Sequence, residues 1–149
     1  MNKVADQPIL VIEDSPEDYY IVERGFKKAR LANPIYHCED GDEALDFLFH
    51  RGKFSPPQEP ERPGIILLDL NLPGTDGHEV LAEIKKDPEL RRIPVIVLTT
   101  SNDPQDIDKC YANGANSFIT KPVTFRGFTE AIQQLKEYWF SIVILPQGE

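Results

Sequence analysis

The chain has 149 residues, enough for one domain with its own core, and ordinary apolar and charged fractions of 40% and 28%. A net charge of −9 and an isoelectric point near 4.8 argue against electrostatic binding to nucleic acid or to an anionic membrane. No apolar run is long enough to cross a bilayer and no signal peptide is recognised, so a cytoplasmic location is expected, and Cys38 and Cys110, which share no motif, read as reduced residues.

The first strand is predicted over Pro8-Ile9-Leu10-Val11-Ile12. It runs straight into Glu13-Asp14-Ser15-Pro16-Glu17-Asp18, four carboxylates in six residues. Ser15 as N-cap, Pro16 at the first helical position and Asp18 at the third form a capping box, and Tyr19, Val22, Phe26 and Ala29 follow at helical spacing. Glu17 and Asp18 are thereby read as helix-start acids that favour the positive end of the helix dipole. Glu13 and Asp14 precede the cap, at the carboxyl end of the strand. A second strand is predicted at Ile35–Cys38 and a helix through Leu45 and Leu48. His50 to Pro63 holds four prolines and reads as an extended surface loop. Ile65–Leu68 and Val95–Leu98 are continuously apolar, as suits central strands buried on both faces. Helices are predicted through Gly77, Val80, Leu81 and Ile84, and through Ile107, Cys110, Tyr111 and Gly114. A fifth strand at Phe118–Thr120 precedes a last helix carrying Phe128, Ile132, Leu135 and Trp139. Five strand–helix units imply an α/β fold with a parallel, doubly wound sheet.

In such a sheet the carboxyl ends of the first and third strands emerge side by side, and sites are placed there. The third strand ends in Leu68-Asp69-Leu70-Asn71-Leu72-Pro73-Gly74, so Glu13, Asp14 and Asp69 are predicted to converge. Three neighbouring carboxylates repel one another unless a cation joins them, and an all-oxygen set with room for water favours Mg²⁺. Thr99, Thr100 and Ser101 end the fourth strand and Lys121 the fifth. Acids, a metal, a hydroxyl and a lysine make a phosphoryl-binding pocket, and a carboxylate there can itself take the group as an acyl phosphate.

Five blocks carry a resemblance over almost the whole chain: VIEDSPED, EDGDEALDFL (Glu39 to Leu48), ILLDLNLPGTDGHEVL (Ile66 to Leu81), IPVIVLTTS (Ile93 to Ser101) and GANSFITKPV (Gly114 to Val123). In this order and spacing the sequence resembles the receiver domain of two-component response regulators. The resemblance implies a flavodoxin-like sheet of order 2-1-3-4-5. It implies that Asp69 accepts a phosphoryl group from a histidine kinase, that Asp14, Glu13, Asp69 and the Asn71 carbonyl hold Mg²⁺, and that Lys121 contacts the phosphate. Thr99 becomes the switch hydroxyl and Phe118 the switch aromatic, here without the hydroxyl of the tyrosine that is frequent at that place. Thr100 stands where a small alanine is usual, which narrows partner access to the phosphate. A cis bond before Pro122 is also implied. The proline-rich insertion and the segment WFSIVILP (Trp139 to Pro146) further resemble single-domain regulators paired with cyanobacterial and bacterial phytochrome kinases.

The expected organisation is a receiver domain over 1–140 and an apolar tail over 141–149, with no effector domain. Output then comes from protein binding, not from turnover as an enzyme. Tyr138, Trp139, Phe140, Ile142, Val143, Ile144 and Leu145 have little of their own domain left to cover them, and a two-fold homodimer through the fifth helix and tail is predicted. A phosphatase of the haloacid dehalogenase type is the rival enzyme reading. It usually has a second aspartate two residues after the nucleophile, where this chain has Asn71. A degenerate receiver that only binds partners is the rival structural reading, and the complete set of pocket residues speaks against it.

Overall fold

A computed structural model describes residues 7–146. The elements alternate: β1 (Ile9–Ile12), α1 (Pro16–Lys28), β2 (Ile35–Cys38), α2 (Gly41–Phe49), β3 (Ile65–Leu68), α3 (Gly77–Lys86), β4 (Val95–Thr99), α4 (Pro104–Ala112), β5 (Ser117–Thr120) and α5 (Phe125–Lys136). The strands form one parallel sheet, as the alternating pattern predicts, in the order β2-β1-β3-β4-β5 that the resemblance implies.

Each helix starts where a short polar side chain satisfies an otherwise orphaned N–H. Ser15, Asp40, Asp76, Asp103 and Thr124 accept from the backbone of Asp18, Glu43, Glu79, Gln105 and Gly127 respectively. The continuous apolar strands are explained by a sheet covered on both sides. Alternate residues point to opposite faces: Leu10, Ile12, Ile66, Leu68, Val95 and Val97 join α2, α3 and α4 in one core, while Ile9, Val11, Ile65, Leu67, Ile96 and Leu98 join α1 and α5 in the other. Close approach of α1 to α5 depends on Gly25, where a Cβ would stand 2.7 Å from the Ile132 Cγ2.

Several boundaries differ from the sequence reading. β4 includes Thr99 and β5 begins one residue earlier, at Ser117, because ladder pairing continues past the apolar run, with Thr99 opposite Thr120 and Ile96 opposite Ser117. α4 ends at Ala112, and Gly114 lies beyond it at φ +97°, a conformation that suits a helix exit and not a helical face. The proline-rich segment is not wholly extended. Gly52–Phe54 makes a 3₁₀ turn whose Phe54 ring packs edge-on against Phe47 at 5.1 Å, because an apolar side chain was available to cover the end of α2. Among the described residues the cis peptide is Pro56–Pro57, and the Lys121–Pro122 bond is trans; an X–Pro bond has only a weak intrinsic preference, so its surroundings select the isomer.

The C-terminal segment departs most. α5 passes into a π-helical stretch, Glu137–Ile142, that closes with the Val143 N–H on the Tyr138 carbonyl at 2.8 Å. This wider turn brings Trp139 and Phe140 against the α1/α5 core, and Leu145 is buried at 2% exposure. Of the described side chains in the expected uncovered cluster, Tyr138 and Ile144 stay open, at 53% and 88% exposed, and the Ile142 side chain lies outside the described ones. Residues 147–149 lie outside the described residues.

Candidate functional site

Parallel register decides which side chains meet. β1 and β3 pair with Ile12 opposite Leu68, and the Asp69 N–H extends that ladder to the Ile12 carbonyl at 3.0 Å. Glu13 and Asp69, the next residue on each strand, thus leave the sheet side by side. Farther along, the Lys121 N–H donates to the Thr99 carbonyl at 2.6 Å. Gly77, at the start of α3, lies so close to the end of β3 that a Cβ there would run into the Asp69 carbonyl.

From β5 the Lys121 side chain reaches back to the ends of β1 and β3. Its Nζ is 2.7 Å from Glu13 Oε1, 2.8 Å from Asp18 Oδ2 and 3.1 Å from Asp69 Oδ2. Each of the three ammonium N–H groups thereby has a carboxylate. Glu13, Asp69 and Lys121 are buried, while Asp14 is exposed. Ionised, the four acids Glu13, Asp14, Asp18 and Asp69 carry −4 against the +1 of Lys121, a net of −3. Burial pushes the Glu13 carboxyl up to about 7; the Lys121 hydrogen bond offsets part of this and the Asp69 charge adds to it. Burial alone would depress Lys121, but its bonds to Asp18 and Glu13 and the Asp69 charge outweigh that and hold it above the ordinary lysine range.

Ligand oxygens of Glu13, Asp14 and Asp69 all lie within 4.8 Å of one another. All-oxygen donors, an excess of negative charge and one exposed acid at the rim fit a hard divalent cation that keeps part of its water. Asn71 is exposed, and its backbone N–H donates to Asp69 Oδ1 at 3.2 Å. Thr99 is fully buried, and its hydroxyl accepts weakly from the Ser101 N–H at 3.5 Å. The other two hydroxyls do not join the pocket. Thr100 is exposed, and Ser101 donates to Asp106 at 2.6 Å because α4 presents a nearer acceptor. Phe118 lies half-buried against the α2/α3/α4 core, with its N–H on the Tyr111 hydroxyl at 3.1 Å.

Asp18 is the site residue that sequence reasoning missed. It does stand in the first turn of α1, yet its side chain does not return to the Ser15 N–H. Glu13 Oε2 takes that N–H, at 3.1 Å, and Asp18 turns to Lys121. The signal was the surplus of acid in VIEDSPED, one carboxylate more than strand end and helix start require. His37 is a second addition. Its Nε2 donates to the Glu13 carbonyl at 2.7 Å while its ring stacks on Tyr19 at 3.7 Å, bracing the β1 end from β2.

Residues 9–133 match the family profile described as the response regulator receiver domain. This chain belongs to that family. The receiver is 39% identical over 138 residues to response regulator Rcp1 of Synechocystis sp., covering 93% of this chain and 92% of that protein. It is also 39% identical over 132 residues to FilR2 of Methanothrix harundinacea, covering 88% and 82%. The crystal structure of the Mn²⁺-bound form of Rcp1 superposes with a TM-score of 0.89, covering 95% of the receiver and 99% of that chain. That of the phosphorylated cyanobacterial phytochrome response regulator RcpA gives 0.89 at 37% identity with the same coverage. Receivers are signalling modules, and among the described residues of this one no helix is long and apolar enough to cross a membrane.

Proposed function

We propose that this receiver accepts a phosphoryl group on Asp69 from the phosphohistidine of a histidine kinase. An Asp69 carboxylate oxygen attacks phosphorus, the P–N bond breaks, and the departing imidazole takes up a proton, leaving an acyl phosphate on Asp69. Glu13, Asp14, Asp69 and the Asn71 carbonyl would hold Mg²⁺, which supplies charge compensation to the phosphoryl oxygens. Lys121 offers an N–H to one phosphoryl oxygen and the Thr99 hydroxyl to another. The single observation that carries this reading is one buried ammonium held by acids from the ends of β1 and β3 and from α1. That arrangement provides a nucleophile and a fixed positive charge at one place.

Phosphate at Asp69 gives the Thr99 hydroxyl, which now accepts from the Ser101 N–H at 3.5 Å, an acceptor for its own proton. Its movement frees space for Phe118 and alters the face formed by α4, β5 and α5, a two-state bias read by protein binding. The description of RcpA supports a phytochrome-type kinase as donor, and two free, buried cysteines suit the cytoplasm. A two-fold homodimer through the C-terminal segment is one form the output takes; its support is the exposure of Tyr138 and Ile144. Phosphotransfer from candidate kinases, scored on wild type and Asp69→Asn, tests the assignment. The variant should fold and take no label; acid-labile phosphate gained at the wild-type rate would overturn it.

A further inference from the structure

Lys121 is held by three carboxylates, and two of them have other duties. Glu13 and Asp69 belong to the cluster whose oxygens lie within cation-binding reach of one another, and Asp18 does not. We infer that Asp18 is the positioning residue for Lys121, fixing the ammonium where an arriving phosphoryl oxygen meets it. The inference deepens the proposed assignment of Asp69 as acceptor and rests on it.

A lysine side chain is a point charge on a flexible four-carbon stem, so its site of action is set by what holds its end. A cation in the acid cluster and a phosphoryl group on Asp69 draw the lone pairs of Glu13 and Asp69 toward themselves. Asp18 keeps its oxygen, 2.8 Å from Nζ, for the lysine alone. Asp18 is itself fixed, because its backbone N–H is tied to the Ser15 hydroxyl at 3.2 Å in the first turn of α1. The contact joins residues 103 positions apart, so α1 sets the place of a side chain that β5 supplies. The Asp18 side chain is 28% exposed, so an amide there meets water at its rim and is not left as an unpaired buried group.

The test is the rate of labelling by acetyl phosphate, which bypasses kinase docking, at saturating Mg²⁺. Asp18→Ala should slow labelling by about tenfold, the scale of a modestly misplaced catalytic group. Asp18→Asn, which keeps an acceptor without the charge, should fall between it and wild type. The Mg²⁺ concentration for half-maximal labelling should stay at the wild-type value, since Asp18 lies outside the cation cluster. The decisive readout is the double-mutant cycle. In a Lys121→Ala background the residual labelling rate should not respond to Asp18→Asn. Equal slowing with and without Lys121 would overturn the inference, as would unchanged rates in both single variants. Should Asp18→Ala melt below the assay temperature, Asp18→Asn, which keeps the shape, carries the cycle. A wild type that takes no label on Asp69 would overturn the acceptor assignment itself, a result distinct from a labelled wild type matched by its Asp18 variants.

Discussion

Glu13→Gln should stabilise the metal-free protein while weakening its hold on Mg²⁺, and the size of the first effect follows from the pocket. Glu13 is 2% exposed, and burial raises its carboxyl from an ordinary 4.5 to about 7. At 1.36 kcal/mol for each tenfold change in proton affinity, keeping it ionised costs the fold about 3 kcal/mol. The sign is fixed by a folded-state value above the unfolded one. At a pH well below 4.5 both states hold the proton, and wild type and Glu13→Gln should be equally stable. Between 4.5 and about 7 the unfolded chain releases its proton first, so wild type falls progressively behind, and at higher pH the gap is constant. Lys121, held above its ordinary range, stays charged across this window. For a chain of this size the full gap corresponds to roughly 6–12 °C in Tm. Thermal unfolding with chelator, from acid to mildly alkaline pH, measures it. Saturating Mg²⁺ should then close most of the gap, because ligand at about 100 times its Kd adds about 2.7 kcal/mol to the protein that binds it. Parallel pH profiles for the two proteins in chelator, or equal gains from Mg²⁺, would refute the reasoning.

Thr99→Ala should still be labelled at Asp69 but lose most of its phosphorylation-dependent partner affinity; an unchanged dependence, measured by titration with and without phosphodonor, would count against the switch. At the other end of the molecule, Leu145→Ala should cost about 2 kcal/mol or more in urea unfolding, the low end for a buried leucine, and a change within about 0.5 kcal/mol would show the segment undocked. Sedimentation of wild type beside Tyr138→Ala/Ile144→Ala tests the pairing: the variant should run as monomer where wild type runs as dimer, and a monomeric wild type removes the dimer.

Fold was legible in this chain because its local signals agree with one another. IILL and VIVL have no polar face, which only a sheet covered on both sides can use, and Ser15-Pro16 marks a helix start by capping chemistry alone. The C-terminal segment failed for a related reason. A period of 3.6 puts Trp139 on the face of Phe128, Ile132 and Leu135 but turns Phe140 away from it, and with the π-helical turn at Glu137–Ile142 both pack against that core. No local residue preference announces an i→i+5 turn, since packing against α1 and the sheet selects it.

The site shows where such reading stops. Convergence of Glu13, Asp14 and Asp69 follows from topology, because parallel neighbours must end side by side. What a given carboxylate then does is a competition between partners, and the competitors can be far apart in sequence. Asp18 had a local use, closing a capping box on Ser15, and a distant one at Lys121. The local bond is neutral-donor chemistry at a helix end in reach of water. The distant one joins two opposite charges, at an ammonium already buried among acids, where water screens their attraction less. Glu13, anchored one residue past the sheet ladder, could meanwhile serve the Ser15 N–H with its second oxygen while its first faces Lys121. The exchange leaves each of these donors satisfied and gathers the acids on one cation. It thereby stores, in the unphosphorylated protein, the negative excess that a divalent ion relieves.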